Sequence, residues 1–235
     1  MEITELKPPR PWAKGSSLRT CDFQITGVLK IPKITSRKLP ALHCVLRTRQ
    51  SRRDFKTPLT LEQLGDLLWH SFRVRQKGYV NGQCVWESRP TPSGGGCHPI
   101  HVVVVGARFL KNALLFYDAQ GHSFGVRDAP SGLVTRCLEE VGTCLKVQKG
   151  TALWFLADLA RSGTRYKNPE SLAWRDSGAL LATISIVAEG LGLNSCGLGL
   201  HDIPSLRRFL KLDKWVMGVG GCVVAGRHTA KRNSL

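Results

Sequence analysis

Three short stretches of the chain bring together residue types that can do chemistry. The first, Arg49-Gln50-Ser51-Arg52-Arg53-Asp54-Phe55, sets guanidiniums and a hydroxyl within one turn. Guanidinium forks bind phosphate in a bidentate way that a lysine point charge does not reproduce. A solvated basic face beside a helix end is the plainer alternative. The second stretch is Arg89 followed by Pro92-Ser93-Gly94-Gly95-Gly96, just ahead of a valine run. Consecutive glycines let backbone approach a flat ligand and present N–H donors, although a flexible loop would look the same. The third runs Gly190-Leu191-Gly192-Leu193-Asn194-Ser195-Cys196-Gly197-Leu198-Gly199. It lacks the strand-then-helix order of a Rossmann fingerprint, so its G-x-G does not signal dinucleotide binding of that type. None of the three identifies a function alone.

The elements that must carry these stretches alternate irregularly between helix and strand, which predicts an α+β fold. Residues 1–40 are Pro- and Lys-rich and read as a surface arm with one strand over Phe23–Ile31. A helix is expected over Ala41–Arg47 and a turn over Ser51–Phe55. Thr60 and Gln63 stand in capping-box spacing, opening a helix with Leu61, Leu64, Leu67 and Leu68 on one face. Residues 71–96 read as a polar, glycine-containing stretch. Val102–Val105 and Leu114–Tyr117 are strands by β-branching and brevity, with a turn at Asp118–Gly121. Then come a helix over Leu133–Leu145, a strand over Ala152–Leu156 and a long helix over Ser171–Glu189 with apolar residues on most faces. A short helix, Ser205–Leu210, and a glycine-broken strand, Val216–Val224, complete the order. The domain reading is an arm over 1–40, one globular domain over 41–228 and a basic tail over 229–235.

Composition bounds what this fold can be used for. The 235 residues carry 34 Lys+Arg against 17 Asp+Glu, a formal charge of +17, with 42% hydrophobic and 22% charged residues. That is globular composition with room for a sizeable core. No apolar run reaches the ~20 residues of a membrane span, since even Ala179–Leu193 contains Glu189. The start, MEITELKPPRPW, has no cationic segment followed by an apolar one, so no secretory signal is expected and the reading is a soluble, cytoplasmic protein without a membrane partner. Eight cysteines without any C-x-x-C point to buried thiols in a reducing compartment, with neither zinc nor disulfides. Basic residues crowd 47–56 and 207–232, which attracts polyanions. No helix-turn-helix, zinc finger or aromatic-studded strand accompanies them, so nucleic acid is not the expected partner.

The order and spacing of the motifs say more. Arg-x-Ser-x-Arg-x-Phe at 49–55, Leu-x-x-Leu-Leu-Trp at 64–69, Arg-x-x-Pro-Ser-x-Gly at 89–95, Arg-Tyr at 165–166 and Gly-Leu-Gly-Leu-x-Ser-Cys at 190–196 together resemble the FMN-dependent nitroreductase superfamily. Within it the chain looks most like the SagB-type branch, flavin oxidases that turn peptide thiazolines and oxazolines into thiazoles and oxazoles. Tyr117-Asp118 is similar to that branch's Tyr-x-Tyr-Asp hairpin. The resemblance spans roughly residues 35–228. It implies an α+β fold with a central mixed or antiparallel sheet, two intertwined subunits and two FMN sites at the dimer interface, the long helix lying against its copy.

Carried over residue by residue, the resemblance implies FMN phosphate and ribityl contacts from Arg49, Gln50, Ser51 and Arg53, with Arg89 counted among the cofactor residues. Pro92, Ser93, Gly94 and Gly95 match the loop that the partner subunit lays on the isoalloxazine. Gly197, Leu198, Gly199 and Leu200 match the segment facing the flavin edge near N5, and Arg227 the C-terminal phosphate arginine. The long helix has Arg175-Asp176-Ser177-Gly178-Ala179 where the branch often shows Glu-Ala-Gly-His, so a helix histidine is missing. No acidic residue follows at the flavin edge, which leaves nicotinamide use open. His98, His101 and His201 are candidates by location only.

The functional expectation is an FMN-dependent oxidase or dehydrogenase of azoline-like or peptide-derived substrates. The expected partners are a second copy of the chain and a peptide or a biosynthetic partner enzyme. An NAD(P)H-dependent reductase of nitroaromatics or quinones is the second reading. A flavin-free, basic nucleic-acid-binding or structural protein is the third. The resemblance also implies that Arg165 and Tyr166 form the catalytic pair. Oxidising an azoline removes a hydride from one carbon and a proton from its neighbour, and a phenol whose pKa of ~10 is pulled down by an adjacent guanidinium is suited to take that proton as phenolate. Arginine stays protonated and can only stabilise charge.

Overall fold

The computed structural model describes residues 6–12, 16–18, 21–32 and 39–227, so the expected basic tail and parts of the arm lie outside the described residues. Two strands come from the arm, β1 (Arg10–Pro11) and β2 (Gly27–Lys30). Helices α1 (Leu42–Thr48) and α2 (Leu61–Phe72) follow, then the hairpin β3 (Gln76–Val80) and β4 (Gln83–Ser88). A 3-10 turn over Gly94–Gly96 leads into β5 (Ile100–Val105), β6 (Ala113–Asp118), β7 (Ser123–Asp128) and α3 (Leu133–Gly142). The rest is β8 (Thr151–Asp158), α4 (Leu159–Gly163), β9 (Tyr166–Lys167), α5 (Glu170–Leu191), β10 (Leu193–Leu198), α6 (Pro204–Leu210) and β11 (Val216–Arg227).

Seven strands form one antiparallel sheet in the order β10-β11-β8-β5-β6-β7-β2. The fold is therefore α+β with a central antiparallel sheet and surrounding helices, as the irregular alternation predicts. Both faces of the sheet are covered, and the two-residue period of a strand sorts side chains between them. Ile100, Val102, Val104, Leu153 and Phe155 join the core under α2 and α5. Val103, Val105, Ala152, Trp154 and Leu156 join the core on the side of α3 and α6. With both faces covered, strands become continuous apolar runs rather than alternating ones, and all eight residues of β8 are buried.

The capping box of α2 forms as its spacing predicts. Gln63 N–H donates to Thr60 Oγ1 (3.2 Å) while Thr60 N–H donates to Gln63 Oε1 (3.1 Å). Several strands fall where no strand was expected, among them β3, β4, β7 and β10. The stretch 71–96 holds the β3–β4 hairpin, whose turn is Asn81-Gly82 with both φ angles positive (49° and 73°). That dipeptide is the standard signal for a type I′ hairpin turn. Past the Asp118–Gly121 turn, β7 pairs back on β6. The third glycine-spaced stretch becomes β10, reached from α5 through Gly192 at φ 70°. The arm contributes β2 as the last strand of the sheet, opposite Phe124 and Gly125 of β7.

Removing the Thr60 hydroxyl exposes an N-terminal donor of α2 and breaks the reciprocal bond. Thr60→Ala is expected to cost about 0.5–2 kcal/mol, read as a lower urea midpoint with an unchanged slope. An unaltered midpoint would mean the box contributes nothing.

Candidate active site

The segment after α1 leaves the helix at Arg49 and is stitched to the sheet edge. Arg52 N–H donates to Ser195 O (2.9 Å), Asn194 Nδ2 donates to Asp54 O (2.6 Å) and Gly226 N–H donates to Thr57 O (2.8 Å). Residues 52–57 thus run along the start of β10 and the end of β11, where Arg227 stands opposite Leu193. Arg52 is a strut, its guanidinium ion-paired with Glu189 at 3.0 Å near the end of α5. The side chains of Arg49, Gln50, Ser51 and Arg53 are exposed and make no hydrogen bond or ion pair among the described residues. An open set of two guanidiniums, an amide and a hydroxyl on a fixed backbone suits a phosphate ester. Three residues on from Ser195, about 10 Å along the strand, β10 ends in Leu198. Gly197 and Gly199 there are exposed, and β10 is the outermost strand on its side of the sheet. This donor set and open edge fit FMN.

The Pro92–Gly96 loop is built into the opposite end of α5. Asp176 is buried, accepting from Ser93 Oγ at 2.5 Å and from Gly94 N–H at 3.1 Å. Burial raises its pKa above the ordinary carboxylate range, and these two bonds offset only part of the rise. Gly95 (φ 61°) and Gly96 (φ 65°) lie in the left-handed region. A Cβ on Gly95 would lie 2.6 Å from the Tyr166 hydroxyl, and one on Gly96 would lie 3.0 Å from Glu87 O. Tyr166 therefore rests directly on the loop. It is held in β9 opposite Pro11, while Arg165 donates from Nη1 to Val85 O at 2.9 Å.

Beneath the loop lies a buried charge cluster that sequence reading missed, because its members are far apart in the chain. The Glu87 carboxylate is ion-paired with Arg89 (2.6 Å), Arg161 (3.1 Å) and Lys77 (3.8 Å). Arg161 also donates from Nε to Cys97 O at 2.6 Å, and His98 Nε2 meets Glu87 O at 3.1 Å, so the cluster supports the loop from behind. Arg89, expected among the cofactor contacts, is turned inward to Glu87 and stacks over Phe72 at 4.4 Å.

In a single chain, then, Arg49, Gln50, Ser51, Arg53, the Arg227 backbone and β10 come together, and the loop comes together with Tyr166. The two groups stay apart. Asp176 and Glu189 are thirteen residues from one another on one helix, about 20 Å at 1.5 Å per residue. His201, just past β10, packs on Trp174, which points to the side of α5 away from Asp176.

The fold is an antiparallel sheet between helical layers, with an exposed basic segment at one sheet edge and a glycine-rich loop at the far end of α5. The family model described as the nitroreductase family matches residues 46–227, and the chain belongs to that family of oxidoreductases, whose members typically bind FMN. Solved structures share the fold. A protein from Ralstonia eutropha JMP134 described as a nitroreductase superposes with a TM-score of 0.67 at 22% identity, over 95% of this chain and 100% of that one. One from Anabaena variabilis ATCC 29413, also described as a nitroreductase, gives 0.62 at 19% identity, over 87% of this chain and 39% of that one. A chain of the E. coli microcin synthetase McbBCD complex with truncated pro-MccB17 bound gives 0.57 at 16% identity, over 88% of this chain and 80% of that one. No curated protein matches this chain significantly. Among the described residues, no helix is long and apolar enough to cross a membrane.

The buried cluster makes stability depend on pH. Burial, reinforced by Arg89 at His98 and by Arg161 at His101, lowers both imidazoles to about 3. An unfolded histidine titrates near ~6.5. Between these values the unfolded chain binds more protons, so the contribution is complete above about 6.5 and is lost as pH falls toward about 3. Burial alone would raise Glu87, but Arg89 and Arg161 hold it below the usual range, which adds an acid loss of the same sign. The Tm should drop between pH 7 and pH 5, and drop less in His101→Phe. Equal slopes for the two proteins would exclude His101 as a source.

Proposed function

We propose that the chain is an FMN-dependent oxidase or dehydrogenase of azoline-like, peptide-derived substrates, working as a homodimer that shares its two sites. The observation that carries the reading is the separation of cradle and loop along α5, together with the Tyr166 hydroxyl resting on Gly95. A ring bound by one chain's cradle takes its cover from the loop of a second copy, and Tyr166 travels with that loop. Arg49, Ser51, Arg53 and Arg227 hold the phosphate and ribityl chain, with Gln50 beside them. Gly197–Leu200 lie along the ring edge, and Pro92–Gly95 of the partner copy cover its face. Bound FMN supplies a hydride acceptor. Acting as the phenolate, Tyr166 takes the proton from the neighbouring substrate carbon and ends as the neutral phenol, and Arg165, fixed on Val85 O, balances the phenolate's charge before the transfer. Arg89 acts from behind, through Glu87, on the loop's position. The likeness to a chain of the E. coli microcin synthetase complex with truncated pro-MccB17 bound supports the substrate class.

Arg49→Ala and Arg227→Ala each delete a charge-assisted hydrogen bond of about 1.5–3 kcal/mol, so FMN affinity should fall roughly tenfold or more. Full flavin occupancy in both would remove the cradle assignment. Tyr166→Phe should retain FMN and lower turnover of an azoline peptide by about 10²–10⁴. Wild-type turnover would make the tyrosine structural.

Mixing tests the shared site directly. Refolded together in equal amounts, Arg49→Ala and Tyr166→Phe subunits should recover about a quarter of wild-type activity, since half the dimers are mixed and one of their two sites is intact. No recovery would place cradle and tyrosine in the same subunit.

A further inference from the structure

Behind the loop lies a cavity of about 360 Å³ that the flavin reading leaves unused. It sits between the β3–β4 hairpin, the start of β5, the end of β6 and residues 21–25. Of the residues read as cofactor contacts, only Arg89 lines it.

Three features of its wall point to one kind of occupant. The first is charge. Glu87 is the buried carboxylate of the lining, and with Arg161 set aside it is shared between the buried Arg89 side chain and the half-buried Lys77. Arginine does not deprotonate, and Arg89 spends Nε and Nη2 on Glu87, which leaves Nη1 to donate to an anion. The second is a donor. His101 Nε2 is buried, lines the cavity and has no hydrogen-bond partner, and a neutral imidazole can offer an N–H there. The third is the remainder of the lining, where Phe23, Ile25, Phe72 and Phe116 form an apolar wall. At the mouth Asp22 and Asp118 are exposed, each holding its own turn by accepting from Gln24 N–H (2.8 Å) and Gln120 N–H (2.9 Å). Their negative charge opposes a multiply charged anion and tolerates a single one.

We propose that this cavity binds a small monocarboxylate with an apolar body, an aromatic or short aliphatic acid. Its carboxylate meets Arg89, Lys77 and His101 Nε2, and its body lies against Phe23, Phe72 and Phe116. The site is separate from the flavin, on the far side of the Pro92–Gly96 loop, so its occupancy does not depend on the reading of the flavin site.

The test is calorimetric titration of the full chain as purified with benzoate, and separately with inorganic phosphate, while visible absorption follows any bound flavin. The expected result is one saturable benzoate per chain, no change in the flavin bands and weaker binding of phosphate. Arg89 is left intact, because deleting it would strand Glu87 in the interior. His101→Phe and Lys77→Met should each weaken benzoate roughly tenfold or more, as loss of a bond to a charged group does. Benzoate that shifts the flavin bands and ignores both substitutions sits on the flavin face and overturns the proposal. So does absence of saturation by about 10 mM, a Kd too weak for a built site. Phosphate binding as tightly as benzoate would overturn the assignment to an apolar monocarboxylate.

Discussion

Leu180, Ile184, Ala188 and Leu191 pack along one face of α5 onto the sheet, and that contact runs most of the helix's 22 residues. Because the helix cannot slide on so long an apolar seam, two things are fixed together. Its C-terminal end offers Glu189 to Arg52 and so sets the cradle segment against β10. Its N-terminal end offers Asp176 to Ser93 and Gly94 and so sets the loop. A rigid spacer between two half-sites is what makes a single chain incomplete in the proposed mechanism. The helix still shows Trp174, Gly178 and Ala182 outward, a face that the seam leaves available.

Much of this was legible in the sequence, and the illegible parts share a cause. The valine strand, the capping box and the long helix announce themselves through local periodicity, which the tertiary structure has no reason to override. One of the apolar faces of the long helix, that of Leu180 and Ile184, is taken up by its own subunit's core. The β3–β4 hairpin was hidden by polar, half-exposed strands, although Asn81-Gly82 marked its turn. β10 was hidden by its glycines, which lower strand propensity while leaving an open edge beside the cradle.

The site divides in the same way. Arg49, Gln50, Ser51 and Arg53, proposed for the cradle, are neighbours in sequence, so their types and spacing mark them as one group. Glu87, Arg161 and His101 come from β4, α4 and β5, His98 from the loop before β5, and only the fold makes them one group. Arg89, expected among the cofactor contacts, faces the other way. Its position three residues before Pro92 fits a cofactor contact, while its burial and its bond to Glu87 place it among the supports of the loop. The chain's charge separates similarly, with exposed arginines at the cradle able to draw in an anionic ligand and buried ones committed to architecture.

The pairing of β1 with β9 has a bearing on how this corner of the molecule comes into being. Trp12 donates its indole N–H to Gly163 O at 2.9 Å and its backbone N–H to Arg165 O at 2.8 Å, across more than 150 residues. Contacts of such sequence separation close late, after the loop between them has lost its freedom. During synthesis the first strand waits, unpaired, until the ribosome has released the segment around Tyr166. The tyrosine's bed is therefore among the last pieces to be made up, on a sheet most of whose strands have already emerged.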